Sequence, residues 1–322
     1  MRSLRSLLLG VAAITAGEAR ADSLIGELVR RFSASQFELV RGNTDVPFLP
    51  LGWVTLTGYE RVDVLDADGR QTGLQYQQLS ASEGALLALP VGQWDLFGIG
   101  EWAETTSFRA KTAPAPNIDV FSLAVPVGWA HQLKHNWQLA AFVAPVGHKS
   151  SEDGWYWEAM GGLFGRYTSS ERTAWLFGAY FDVSSFSQFY TPYAGATFNI
   201  GAHWAIDVVV PWPGVTYAPT ANWFVRIGAA AADNSWTFGA QGNTPRVSVT
   251  GIDVGIHTEH RVYRDVWFGL EAGVSGLRGF TLSGSGSGWQ PVEGNLSGKG
   301  YALLTVTLRP SARLVGEPLA RK

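Results

Sequence analysis

Residues 203–214 read HWAIDVVVPWPG. Taken every second residue, Trp204, Ile206, Val208, Val210 and Trp212 form one apolar series. His203, Ala205, Asp207, Val209 and Pro211 form the other. A period of two puts successive side chains on opposite faces of a strand. One face of this strand is therefore wholly apolar and ends in an indole at both sides, while the other face holds an acid. A chain that repeats this pattern builds a sheet with two chemically opposite faces, and few architectures satisfy both.

The pattern recurs. In WYWEAMGGLFGRY (155–167), Trp155, Trp157, Leu163 and Tyr167 share one parity, and Glu158 and Arg166 the other. Trp223, Val225 and Ile227 oppose Arg226; Ile252, Val254 and Ile256 oppose Asp253, His257, Glu259 and Arg261; Ala302, Leu304, Val306 and Leu308 oppose Tyr301, Thr305 and Thr307. A soluble sandwich also alternates, so the aromatics decide between the two. Trp94, Trp137, Trp155, Trp157, Tyr167, Trp175, Trp204, Trp212 and Trp223 stand at segment ends. Indole and phenol rings favour the zone between lipid headgroups and acyl chains. Small residues and charges share the second face, as a narrow wet lumen requires. A sandwich core would want large apolar residues there.

Composition agrees. Only 16% of the 322 residues are charged, 13% are aromatic with 14 Trp, and there are 38 Gly. Mean hydropathy is nevertheless only +0.03, too low for a bundle of membrane helices. The net charge of −3 supplies no field for nucleic acid. Arg2 and Arg5, the apolar run LLLGVAAITA (7–16) and Ala19-Arg20-Ala21 predict a cleaved export signal over 1–21. No apolar run of 18 residues follows, so no spanning helix is expected. The chain has no Cys, which excludes disulfide staples and a lipid-modified cysteine.

Connections fall into two classes. Tight ones are PVGQ (90–93), HQLKHN (131–136), TSSER (168–172), GAH (201–203) and HRVYRD (260–265). Longer ones are 66–73, 109–117, 149–154 and 278–300. Short turns on one rim and long loops on the other predict an all-β fold: a closed antiparallel transmembrane β-barrel of outer-membrane type. Fourteen strands result if SWTFGAQ (235–241) is a strand of its own, and twelve if it is loop. The expected organisation is a signal peptide (1–21), a periplasmic or lumen segment (22–50), the barrel (51–309) and a basic C-terminal tail (310–322).

The stretch 189–228, with Thr191-Pro192-Tyr193-Ala194-Gly195, Pro211-Trp212-Pro213 and Tyr217-Ala218-Pro219, resembles a family of bacterial outer-membrane β-barrels of unknown function. Residues 250–276 resemble the penultimate hairpin of that family. The resemblance implies the barrel and its cellular place, the outer membrane, and brings no catalytic residues. Partners implied are outer-membrane lipid, lipopolysaccharide and the barrel-assembly machinery. The last strand ends near Leu308 without the terminal aromatic usual in such barrels.

Glu158, Arg166, Asp207, Arg226, Asp253, His257, Glu259, Arg261 and Glu271 are the expected lumen-lining residues. Trp155, Trp157, Tyr167, Trp175, Trp204, Trp212 and Trp223 are the expected interface aromatics. Asp207 is expected to pair with Arg226 or another lumen cation, and Asp253, Glu259 and Glu271 to balance Arg261 and His257, because opposite charges in a narrow lumen must pair. Ser275, His257 and Glu271 form the one constellation with nucleophilic chemistry. His131 and His135 lie in a turn without further ligands, and GSGSG (284–288) lacks the Lys of a phosphate loop. No cofactor or metal is expected, and no enzyme. The expected function is a narrow pore for small solutes; the alternatives are a structural barrel with a plugged lumen and, less favoured, an envelope-lipid hydrolase.

Overall fold

In this computed structural model the described residues are 45, 50–66, 68–111, 117–150, 154–170, 172–183, 188–210, 212–231, 234–237, 246–283 and 292–309. The expected signal peptide (1–21), nearly all of 22–50, the stretch GSGSG (284–288) and the expected tail (310–322) lie outside them. The ordered segments are all strands: β1 (Gly52–Tyr59), β2 (Val62–Leu65), β3 (Gln71–Val91), β4 (Asp95–Ala110), β5 (Ile118–Ala124), β6 (Val127–Lys134), β7 (Trp137–Ser150), β8 (Tyr156–Ser170) and β9 (Thr173–Val183). The second half adds β10 (Gln188–Ile200), β11 (Trp204–Val210), β12 (Gly214–Thr220), β13 (Trp223–Ala231), β14 (Asn234–Thr237), β15 (Arg246–Tyr263), β16 (Val266–Ser283), β17 (Val292–Leu296) and β18 (Lys299–Leu308).

Neighbours in sequence pair antiparallel, and β1 pairs with β18 from Gly52↔Leu308 to Tyr59↔Tyr301, which closes the sheet on itself. Four strands come in two pieces that share partners. β1 and β2 both pair with β3, β5 and β6 with β4 and β7, β13 and β14 with β15, and β17 and β18 with β16. The barrel therefore has fourteen strands. Fourteen is the upper end of the expectation, but 234–237 is not an independent strand: it continues β13 along the same partner. The β5/β6 break falls at Val125-Pro126, where proline has no N–H for the ladder. There the Pro126 carbonyl accepts from Gly100 N–H, and Val125 N–H donates to the Pro145 carbonyl.

The turns at 92–94, 135–136, 201–203, 221–222 and 264–265 and the connection between β8 and β9 share one rim with the start of β1 and the end of β18. Gly201 takes a positive φ of 62° in its turn, a conformation glycine adopts without steric cost. Two expected loops are corrected. His131 stands in β6, and the turn is only His135-Asn136. Much of 278–300 is strand, in β16, β17 and β18.

The second correction has a physical cause. From the turn rim to the middle of the wall the outer face is apolar: Phe97, Ile99, Trp129, Val208, Ile252, Val254, Ile256, Leu270 and Val274 are exposed. Toward the other rim the chemistry swaps faces while the alternation continues. The outer side of β3 carries Leu79 and then Gln77 and Gln75, while its inner side passes from Ser82 and Ser80 to buried Tyr76. In β4 the inner side passes from Glu104 and Thr106 to buried Phe108, beside outward Ser107 and Arg109. Val62, Val64, Tyr76, Phe108, Ile118, Val120, Val247, Val249, Phe280, Leu282 and Leu296 thus meet inside the barrel as one apolar cluster. That end is apolar within and polar without, as a soluble domain is, so a search for apolar-outward strands takes it for loop.

Candidate functional site

The inner face below this cluster is polar, and its charges meet across strands through glycines. Asp207 on β11 and Arg226 on β13 flank β12. The Arg226 Nη1 donates to Asp207 Oδ2 at 2.6 Å, and the Thr197 hydroxyl donates to Asp207 Oδ1 at 3.0 Å. The residue between them is Gly214, paired with Asp207. A Cβ on Gly214 would stand 2.5 Å from the guanidinium, so the missing side chain is what opens the path. The Arg226 and Asp207 side chains keep 31% and 25% of their exposure, so water reaches them from the lumen.

A second network uses the same device. Glu259 on β15 reaches over β16 at Gly269, its register partner, to the end of β18. It accepts from Arg309 Nε at 2.7 Å, Arg309 Nη2 at 2.6 Å and the Thr307 hydroxyl at 2.7 Å. A Cβ on Gly269 would lie 2.7 Å from Glu259 Cγ and 2.6 Å from Thr305 Cγ2. His257 sits between two carboxylates, with Nε2 2.9 Å from Glu259 and Nδ1 3.1 Å from Glu271. The Tyr301 hydroxyl donates to Glu271 at 2.5 Å. The Arg309 guanidinium also lies 5.4 Å from the Phe224 ring centre.

The expected balance between these acids and Arg261 is not what forms. Arg261 bonds the Arg264 carbonyl and Asn222, and lies 3.6 Å from Asp265, all at the turn rim. Asp253 takes hydroxyl donors instead of a cation, from Tyr59 at 2.7 Å and from Ser275. The Ser275–His257–Glu271 constellation is not assembled either. Ser275 is committed to Asp253 and His257 to two acids, so no hydroxyl faces the imidazole as nucleophile.

A third network was not legible in the sequence. His148 Nδ1 is 2.7 Å from Ser122 Oγ, and its Nε2 is 2.7 Å from Glu158 Oε1. The order Ser, His, Glu is that of a hydrolytic triad. Ser122 and His148 are however buried at 1% and 4% exposure within a continuous ladder. The strands that carry them pair on both sides, β5 with β4 and β7, and β7 with β5 and β8, so their backbone is engaged in the sheet. Its chemistry is that of a satisfied polar network. Arg166 on the same wall donates to Gln138 at 3.2 Å. The signal for His148 was its parity with Ala144 and Val146 on the inner face of β7.

The aromatics stand outward as their parity requires. Trp155, Trp157, Trp175, Trp204, Trp212 and Trp223 are all exposed, and Tyr167 packs on Trp137 at 4.8 Å between ring centres. Trp155 and Trp157 stack on each other over Gly147. At the turn rim, Asp95 accepts from Trp129 Nε1 and lies 2.8 Å from His131 Nδ1, so His131 has a carboxylate partner. No group of three or more His, Cys, Asp and Glu suited to a metal ion occurs among the described residues.

Comparison with family models and with curated proteins found no match. Among solved structures, the chain is similar to an outer-membrane channel from Pseudomonas putida F1 at 10% identity and a TM-score of 0.47, covering 82% of this chain and 97% of that one. It is similar to a FadL homologue of Pseudomonas aeruginosa at 10% identity and 0.44, covering 80% and 90%. The toluene transporter TodX of Pseudomonas putida follows at 10% and 0.41, covering 84% and 93%. At these values the likeness carries over neither ligand nor mechanism.

Proposed function

We propose that this chain spans the bacterial outer membrane and passes small solutes through a narrow polar lumen. The observation that carries the reading is the Asp207–Arg226 pair: it is on the inner face of a closed barrel and still water-accessible. Charged side chains lining such a path set its ion preference and its width. The outer face gives the membrane placement. From Trp204 to Val210, the whole of β11, is about 20 Å of extended chain at ~3.3 Å per residue, and a tilt of about 40° turns this into roughly 15 Å of membrane normal, within the ~25 Å apolar band of such barrels. Outer-membrane lipid and lipopolysaccharide are then the neighbours of Val208, Val210 and Ile252, and the assembly machinery a transient partner.

A structural barrel with a plugged lumen is the second reading, favoured by the apolar cluster at the loop rim. Solute flux separates the two. Folded protein in liposomes is expected to admit a pentose and exclude a trisaccharide. Liposomes that stay tight to both, with folded protein confirmed by a gel-mobility change on boiling, would leave only the structural reading.

A further inference from the structure

The apolar cluster differs from an ordinary core in three respects. It lies inside a barrel and draws its residues from neighbouring strands, from β15 through β16, β17, β2, β3 and β4 to β5. Tyr76 on β3 and Phe280 on β16 are separated along the wall by the β17/β18 and β1/β2 strands, yet their ring centres are 5.4 Å apart. The inner faces of these strands therefore fold onto one another over the strands between them.

The outer section is also partly separable from the barrel below. Three of the four strand breaks divide it off: β2 from β1 at Glu60-Arg61, β5 from β6 at Val125-Pro126, and β17 from β18 at Ser297-Gly298. Val62, Val64, Ile118, Val120 and Leu296 all stand on these outer pieces. The seam between β2 and β17 is held by two register pairs, Asn295↔Leu65 and Leu296↔Val64, and by Ser297, whose N–H donates to the Asp63 carbonyl and whose hydroxyl accepts from Asp63 N–H, where β1 and β18 below it share eight register pairs.

Finally, the closed arrangement contains a built-in penalty. The Tyr76 hydroxyl is buried in this apolar cluster and has no hydrogen-bond partner among the described residues. A buried orphan donor disfavours the state that buries it. Opening the collar would return that hydroxyl to water.

We infer that this outer collar is a hydrophobic gate, closed by its apolar cluster, hinged at the strand breaks and poised to open along the β2–β17 seam. It rests on the channel reading and adds the regulation of that channel. A dry apolar constriction stops ions by excluding water, so making it polar opens it and making it drier shuts it.

The test is the open fraction of the full chain in planar bilayers. Tyr76→Phe removes only the orphan hydroxyl and is expected to lower the open fraction about tenfold. Val249→Thr, nearly the same shape, puts a hydroxyl into the cluster and is expected to raise it about as much. The chain has no native Cys, so Leu65→Cys with Asn295→Cys forms one defined cross-link across the seam. With the link confirmed by mass, currents are expected to fall on oxidation and return on reduction. Currents in the unaltered protein that ignore Tyr76→Phe, Val249→Thr and the cross-link would overturn the gate and leave the channel standing. Silence in the unaltered protein and in Val249→Thr would remove the channel and the gate with it.

Discussion

Glu259 offers the sharpest energetic test of the barrel interior. The residue is 1% exposed, and its carboxylate receives two N–H bonds from Arg309, one hydroxyl from Thr307 and the contact with His257. Arg309 is itself only 12% exposed at its side chain. Glu259→Leu leaves that guanidinium buried without its counter-charge, and breaking a buried pair from one side costs about 3–5 kcal/mol. Arg309→Met strands the carboxylate and is expected to cost about as much. The double variant removes both charges, and replacing a whole buried pair by apolar residues is often near neutral. Its cost is thus expected to fall below that of either single change, within about 1 kcal/mol of the unaltered protein. Gly269→Ala gives an independent handle, since its Cβ would meet Glu259 Cγ and Thr305 Cγ2 inside 3 Å; overpacking of this kind costs about 1–3 kcal/mol. The assay is urea unfolding in lipid vesicles followed by the emission of the 14 tryptophans. Single and double costs that simply add would refute the idea that Glu259 and Arg309 act as one latch.

Other expectations follow from the same geometry. A double-mutant cycle with Asp207→Asn and Arg226→Gln is expected to give a coupling of about 0.5–2 kcal/mol; values near zero would mean the pair is only incidental. Gly214→Ala is expected to lose much of that coupling with both charges still present, since its Cβ would occupy the path of the guanidinium. Gly165→Ala would bring a Cβ to 2.2 Å from the Phe177 ring on the outer face. It is expected to destabilise by about 1–3 kcal/mol in the same unfolding assay, and no change would show that the ring has room to move.

How much of this was legible in the sequence depends on the range of the signal. Alternation is local, so the face of Trp204, Val208, Asp207 and Arg226 could be read directly, and with it the Asp207–Arg226 pair. Partners further away could not. Arg309 stood at the very end of the expected barrel, beside a basic tail, and nothing local says that it turns inward to an acid 50 residues earlier. His148 was a lone histidine whose partners, Ser122 and Glu158, belong to two neighbouring strands. The collar was hidden for another reason. Phe280, Leu282 and Leu296 keep the period of two but reverse its chemistry, so a membrane template assigns their strands to a loop. A break such as Val125-Pro126 was visible as a proline, but not as a joint between two sections of one strand.

The central claim is that, below the collar, one face of each strand meets lipid and the other meets a wet interior. Because the chain contains no cysteine, single cysteines can be placed at each described position from Trp204 to Val210, then labelled with a fluorophore. Quenching by a spin label confined to the acyl chains is measured for each folded protein in vesicles. The account expects a period of two, with strong quenching at 204, 206, 208 and 210 and weak quenching at 205, 207 and 209. A flat profile, or the opposite phase, would contradict it.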